Sequence, residues 1–172
     1  MGVDNAEACT SCPAGYLQVK EGSTFCLPCM PGKTQHQVGQ SECTACNEGR
    51  YTDEVGTKDT CTLCPIGFKA NAGSAICQRC GAGKFGFGCK NCNAGMFREN
   101  AADDVTKCTE CIPGRRQQAE GQTMCLPCVP GKRNWDYGRT ECVDCDAGQY
   151  QLDISGTDCK DCKPGMYQSK QG

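Results

Sequence analysis

Twenty cysteines, all arranged in C-x-x-C pairs, are the feature that most constrains the fold of this 172-residue chain. Successive pairs begin 12 to 19 residues apart, most often 17. A spacing this regular indicates a tandem repeat, and the period is too short for the common helical repeats. The ten pairs begin at Cys9, Cys26, Cys43, Cys61, Cys77, Cys89, Cys108, Cys125, Cys142 and Cys159.

The composition indicates that cross-links, and not apolar burial, hold the chain together. Leu, Ile, Val and Phe together number 21 of 172 residues, well below the roughly 20% typical of a chain that buries a core. Cysteine makes up about 12% of the residues, above the roughly 8–10% that marks a disulfide scaffold. The formal charge of -2 offers no field that would attract nucleic acid.

A glycine stands three residues after the second cysteine of every pair and predicts a tight turn there. The Pro-Gly of "MPG", "IPG" and "VPG" fits a type II turn, whereas "CPAG" and "CPIG" fit a type I turn with proline second and glycine fourth. No helical periodicity is present. We therefore predict a small disulfide-rich fold, mostly irregular with short β-hairpins and without a hydrophobic core.

The sequence also repeats over a longer period, which contains several of the cysteine pairs. Residues 9–51 and 108–150 align without a gap at an offset of 99, with 21 of 43 positions identical. We therefore divide the chain into 1–8, the end of a preceding unit, 9–107, a first six-unit block, and 108–172, an incomplete second block whose units 7–10 match units 1–4. We expect the chain to be a segment of a longer secreted protein.

Three chemistries compete for the C-x-x-C pairs. Four-cysteine zinc sites fit the spacing, but a single His and ten near-identical pairs disfavour them. Redox catalysis requires a helix N-terminus beside the pair, and the glycine and proline that follow leave no room for one. Disulfides are favoured, and they place the chain outside the cell or on its surface. We expect no enzymatic activity, no cofactor and no metal.

The pattern "CTSCPAGYLQVKEGSTFCLPC" is similar to the ephrin-receptor-like cysteine-rich repeat and also resembles the first loop of a tumour necrosis factor receptor module. The resemblance covers nearly the whole chain, although several units lack the proline or the aromatic residue. It implies an elongated rod of tandem EGF-like modules in extracellular space, with no enzyme among them. Such rods occur in receptor ectodomains, protist surface antigens and large secreted filament proteins.

The stretch "CGAGKFGFGC" is similar to the last loop of an EGF-like or laminin-type EGF module, which implies a bond between Cys80 and Cys89. The same pairing, continued along the chain, leaves Cys12 and Cys159 for partners outside this segment. The other bonds it implies are Cys46–Cys64, Cys61–Cys77, Cys92–Cys111, Cys108–Cys125, Cys128–Cys142, Cys145–Cys162, Cys9–Cys26 and Cys29–Cys43.

Two other connectivities remain open. In a forward ladder, each second cysteine bonds to the first cysteine of the next pair, which keeps Cys80 with Cys89 and leaves Cys9 and Cys162 over. In the third scheme, two neighbouring C-x-x-C pairs bond only to each other, which we call closed neighbouring pairs. This scheme leaves no cysteine unpaired. Cys80–Cys89 is the favoured bond because two of the three schemes contain it.

One loop has the composition of a contact site. His36 and Trp135 occupy the same place in the 99-residue alignment, and the second copy there reads "GKRNWDYGR". Its Arg133, Trp135 and Tyr137 are residue types enriched at interface hot spots. The alternative is an aromatic side chain that covers its own cystine at a loop tip.

The predicted function is structural: a segment of an extracellular stalk, coat or filament shaft, such as a protist surface fibre or flagellar hair. Its repeated surfaces would let copies of the same protein associate in register. The alternative is a cysteine-rich receptor ectodomain that binds a protein ligand. No nucleic acid and no membrane insertion are expected, and loop Ser, Thr or modified Pro could carry O-linked sugars.

Overall fold

The computed structural model describes residues 9–171, and within that range it contains eighteen two-residue strands and no helix. Each odd-numbered strand follows a turn glycine directly, and each even-numbered strand is the pair of residues between two cysteines of one C-x-x-C. The strands are β1 (Tyr16–Leu17), β2 (Leu27–Pro28), β3 (Lys33–Thr34), β4 (Thr44–Ala45), β5 (Arg50–Tyr51), β6 (Thr62–Leu63), β7 (Phe68–Lys69), β8 (Gln78–Arg79), β9 (Lys84–Phe85), β10 (Lys90–Asn91), β11 (Met96–Phe97), β12 (Thr109–Glu110), β13 (Arg115–Arg116), β14 (Leu126–Pro127), β15 (Lys132–Arg133), β16 (Val143–Asp144), β17 (Gln149–Tyr150) and β18 (Lys160–Asp161).

Consecutive strands pair into two-stranded sheets, β1 with β2 and so on to β17 with β18. In the first hairpin the strands are antiparallel, with Tyr16 opposite Pro28 and Leu17 opposite Leu27. The chain divides into two compact units, Met1–Gln78 and Arg79–Gly172. The structure therefore confirms the predicted fold class, a small disulfide-rich fold of short antiparallel hairpins.

The turn that precedes each odd-numbered strand places its glycine third. In the first repeat the amide of Tyr16 donates to the carbonyl of Pro13 at 3.1 Å, and Gly15 has φ +86°. A positive φ at the third position is the type II geometry, so the type I assignment of "CPAG" was wrong. The turn begins at the proline and not at the cysteine, which moves glycine from the fourth place to the third.

Nine disulfides join the second cysteine of each pair to the first cysteine of the next pair. This is the forward ladder, and it leaves Cys9 and Cys162 unpaired within the described residues. We call the loop closed by each disulfide a repeat. The bonds are Cys12–Cys26, Cys29–Cys43, Cys46–Cys61, Cys64–Cys77, Cys80–Cys89, Cys92–Cys108, Cys111–Cys125, Cys128–Cys142 and Cys145–Cys159.

Three of the expected bonds are present: Cys80–Cys89, Cys29–Cys43 and Cys128–Cys142. The ladder excludes the six other bonds that the EGF-like resemblance implied. Those six are Cys46–Cys64, Cys61–Cys77, Cys92–Cys111, Cys108–Cys125, Cys145–Cys162 and Cys9–Cys26.

The physical reason lies in the short loop between Cys80 and Cys89. The resemblance identifies this loop as the end of an EGF-like module, after which the pairing changes phase. In the structure it is a shortened copy of the ordinary repeat, with the same turn glycine at Gly83 and the same hairpin between β9 and β10. Because every repeat has the same hairpin, every repeat is closed by the same disulfide.

Backbone hydrogen bonds join each repeat to the next within both units. In the first unit the amide of Gly15 donates to the carbonyl of Gln35 at 2.7 Å, and that of Gly39 to the carbonyl of Cys12 at 2.8 Å. In the second unit Gly95 and Gly138 make the same bonds, to Gln117 at 2.7 Å and to Cys111 at 2.8 Å. Nearest-neighbour contacts of this kind characterise repeat proteins.

The interior is built from cystines and polar side chains. Among the described residues, the buried apolar side chains are those of twelve cysteines and Ala70. The large side chains lie outside, and Leu152 is 74% exposed. Burial of cystine sulfur therefore replaces the aliphatic core of an ordinary domain.

Candidate interaction surface

In six repeats the third residue after the turn glycine is a buried polar anchor for the loop that follows. At this position lie Gln35, Thr52, Arg98, Gln117, Asn134 and Gln151, all buried polar side chains. Gln117 shows the arrangement: its Nε2 donates to the carbonyl of Met124 at 2.7 Å, and its Oε1 accepts from the amide of Ala119 at 3.1 Å. The anchor fixes the loop at both ends and aims its tip residues outward.

Asn134 anchors the loop at 133–139, which we call the Trp135 loop. Its Nδ2 donates to the carbonyl of Arg115 in the preceding repeat at 2.6 Å, and its Oδ1 accepts from the amide of Asp136 at 3.1 Å. Trp135, the next residue, is therefore held at the surface, where it is 46% exposed. Tyr137 is 60% exposed and lies at the tip of the same loop.

Two arginines bracket the indole of Trp135. The guanidinium carbons of Arg133 and Arg139 lie 4.9 and 5.0 Å from the ring centroid, within cation–π range. Arg139 also lies 3.6 Å from the carboxylate of Asp136. The Trp135 loop thus presents an aromatic ring flanked by guanidinium groups, in which Arg133 contacts Trp135 of the same chain.

His36 is exposed in the first unit, and its Nδ1 donates to the carbonyl of Lys58 at 2.5 Å. It lines an open groove of about 330 Å³ together with Thr34, Thr44, Asn47 and Arg50. Polar and apolar atoms contribute about equally to its lining. In the first block, His36 occupies the position that aligns with Trp135. Its side chain is hydrogen-bonded to a backbone carbonyl of the next repeat.

A second groove, of about 390 Å³, lies in the second unit between the repeats 92–108 and 111–125. Phe97, Ile112 and Met124 supply an apolar lining, and Glu99 and Glu110 add two carboxylates. Arg115 also lines it, with Nη1 3.3 Å from the carbonyl oxygen of Cys125. We call this the acidic groove.

Sequence reasoning found the Trp135 loop but missed the acidic groove and the buried anchors. The groove residues come from two repeats and share no motif. The anchors did leave a signal in the sequence, since glutamine recurs at the third place after the turn glycine, and three of these five glutamines are buried: Gln35, Gln117 and Gln151, but not Gln18 and Gln168. A repeated polar residue at one place in a cysteine-rich repeat is worth testing as a buried anchor.

Asp103 and Asp104 both serve as loop acceptors. Asp103 accepts from the amide of Asn100 at 2.9 Å, and Asp104 accepts from the amide and hydroxyl of Thr106 at 2.9 and 2.6 Å. The hydroxyl of Thr106, and then its amide, hold the pKa of the Asp104 carboxyl below its ordinary value of 3.8. The carboxylate therefore stays ionised to lower pH, where it continues to accept both hydrogen bonds.

Within residues 9–171, no group of three or more His, Cys, Asp or Glu side chains is placed to hold a metal ion. Eighteen cysteines are in disulfides, which leaves no four-cysteine zinc site of the kind the spacing alone would permit. The part of the chain that the structure describes contains no helix long and apolar enough to cross a membrane.

Comparison with known families gives one match. Residues 2–41 match the family described as tyrosine-protein kinase ephrin type A/B receptor-like. No curated protein sequence matches the chain. The matched family is a non-catalytic cysteine-rich module of the extracellular type. With nine disulfides in tandem, the chain is a series of cysteine-rich repeats, and its stretch at 2–41 is similar to the ephrin-receptor-like family.

Proposed function

We propose that this chain is a structural segment of an extracellular repeat protein, a stalk, coat or filament shaft, that associates with copies of itself. The observation that carries the proposal is a set of exposed apolar side chains at one place in the repeat. Val19, Phe87, Trp135 and Leu152 all directly follow the anchor position, and their exposed fractions are 71%, 57%, 46% and 74%. Apolar residues scattered singly on a surface are ordinary, but these four share one place in the repeat, which polar residues such as His36 and Glu99 occupy in other repeats.

The repeated backbone bonding supports a mechanical role. Each repeat within a unit is held to its neighbour by the amides of two residues and is closed by its own disulfide. The cross-links persist in the oxidising space outside cells. Trp135 and Leu152 lie on neighbouring repeats, so that two arrays can make more than one weak contact together, and such contacts add through effective concentration.

Sedimentation velocity of the 172-residue chain tests the proposal. The chain should carry Cys9→Ser and Cys162→Ser so that the two unpaired thiols cannot link copies. We expect the weight-average mass to rise with protein concentration between about 1 μM and 1 mM, the range of weak to moderate association. A chain that stays monomeric throughout that range would overturn self-association.

A receptor ectodomain is the second candidate function. It is supported by the matched family, whose description names a receptor, and by the match at residues 2–41. The coding sequence around this segment separates the two. Further copies of the 99-residue block favour the structural role, and a membrane-spanning helix followed by a signalling domain favours the receptor.

A further inference from the structure

The Trp135 loop has the chemistry of an interface hot spot that is already ordered before it binds. Trp and Arg are the residue types most enriched at hot spots. The two cation–π contacts hold the indole in place, and an ordered side chain has less conformational entropy to lose on binding. Of the two exposed aromatic side chains in the loop, Trp135 and Tyr137, Trp135 is the one held by these contacts, so its ring can enter a groove on another molecule.

The charges of this loop are incompletely neutralised. Arg139 pairs with Asp136, and Lys132 pairs with Asp144 at 2.5 Å. Arg133 has no carboxylate within ion-pair distance in the described part of the chain, and its buried Nε lacks a hydrogen-bond partner. The guanidinium of Arg133 is therefore the free positive charge beside the indole.

The acidic groove has complementary chemistry. Phe97, Ile112 and Met124 give it apolar walls, and its volume of about 390 Å³ lies within the range of roughly 300–1,000 Å³ seen for ligand sites. Neither Glu99 nor Glu110 forms an ion pair among residues 9–171. The groove thus offers an apolar slot for a ring and carboxylates for a cation beside it.

We infer that the Trp135 loop of one copy docks in the acidic groove of a second copy, with Arg133 facing Glu99 and Glu110. The inference rests on the proposed self-association, for which the Trp135 loop and the acidic groove would be the contact surfaces. The loop and the groove share no residue, although the carboxyl group of Glu110 lies beside Gly138 of the loop within one copy, so the contact between copies is heterologous. A heterologous contact leaves one loop and one groove unused at the two ends, and it therefore extends into a filament or closes into a ring.

Two substitutions separate the surfaces. Trp135→Ala removes the projecting ring and leaves the groove intact, and Ile112→Glu blocks the groove and leaves the loop intact. Both positions are exposed, at 46% and 53%, so the hairpins and disulfides should be unaffected. The matched control is His36→Ala, which changes the exposed residue at the aligned position of the first block.

Sedimentation equilibrium is measured on the chain with Cys9→Ser and Cys162→Ser in every variant. Each of the two substitutions should weaken self-association by about 30-fold or more, the loss expected for a hot spot. His36→Ala should leave the association constant unchanged within about twofold, the scatter of an energetically neutral surface change.

Mixing the variants gives the decisive result. The intact groove of Trp135→Ala can accept the intact loop of Ile112→Glu, so an equimolar mixture should form 1:1 complexes that grow no further. Restored association also shows that both variants are folded. If the mixture stays monomeric, or if both single variants associate as strongly as the parent chain, the docking inference is overturned while self-association stands. If the parent chain itself is monomeric, both are overturned.

Discussion

Arg98 occupies the anchor position of its repeat and is 2% exposed. Its guanidinium has no carboxylate partner in the described chain and instead donates to backbone carbonyls from two repeats. Nε donates to Lys84 at 2.6 Å, Nη2 to Gly81 at 2.6 Å and Nη1 to Asn100 at 2.9 Å. One cation thereby orders both the short repeat at 80–89 and the loop at 99–103.

Removal of this guanidinium should destabilise the second unit. Arg98→Met keeps the aliphatic stem but leaves buried carbonyls without donors, and each such group costs about 1–3 kcal/mol. We expect a loss of about 3 kcal/mol in the free energy of unfolding, measured by guanidinium chloride denaturation with the disulfides intact.

Arg116→Met is the control for that change, because Arg116 is half-buried in β13 and forms no ion pair within the described residues. It should change stability by less than about 0.5 kcal/mol. Equal losses for the two variants would contradict the role assigned to the carbonyl cluster around Arg98.

Short hairpins are the elements of this protein, and two residues per strand cannot hold a sheet alone. Each hairpin is completed by a disulfide, and in eight of the nine hairpins the amide of the turn glycine donates to a carbonyl beyond its own repeat. At Gly95 the glycine has a second role, since its Cα lies against the carbonyl of Gly138, two repeats further on. A Cβ at Gly95 would lie less than 3.0 Å from that oxygen.

The two roles can be separated by a pair of alanine substitutions. Gly95 and Gly148 have φ +83° and +85°, but a Cβ at Gly148 meets no atom within 4 Å. Gly148→Ala should therefore cost only the backbone strain, about 1–3 kcal/mol. Gly95→Ala should cost at least about 2 kcal/mol more, because the repeats must move apart.

The measurement is the denaturation midpoint of each variant with its disulfides mapped. If both variants form the native disulfides and have equal denaturation midpoints, the contact between Gly95 and Gly138 in alternate repeats is not tight. A lower midpoint for Gly148→Ala than for Gly95→Ala would contradict the packing outright.

At the scale of the whole molecule, the ladder makes a prediction about thiols. In the denatured but unreduced chain, alkylation should label two cysteines, Cys9 and Cys162, and reduction should make all twenty reactive. Trypsin cleaves after Lys160, which separates Cys159 from Cys162. The label should therefore appear on the peptide that begins at Asp161, read by mass spectrometry.

Each rival connectivity gives a different result in that experiment. Label on Cys159 would support the EGF-like phase, and no label at all would support closed neighbouring pairs. Twenty labelled thiols without reduction would remove the disulfide framework and, with it, the extracellular assignment.

The order of the cysteines, the turn glycines and the low aliphatic content were enough to predict a tandem array of disulfide-closed hairpins. These features act within one repeat of about 17 residues, where local turn geometry dominates. The Trp135 loop was also visible, because its composition is local.

Only the tertiary structure decided the pairing, the anchors and the groove. The two cysteines of one C-x-x-C are three residues apart, so loop lengths barely distinguish the schemes, and loop-closure entropy changes slowly with length. The hairpin decides instead, because its turn brings Cys12 back to within 5.7 Å of Cys26, Cα to Cα. Arg98 is buried, and the acidic groove exists, because consecutive repeats pack together, and no pattern within one repeat encodes that contact.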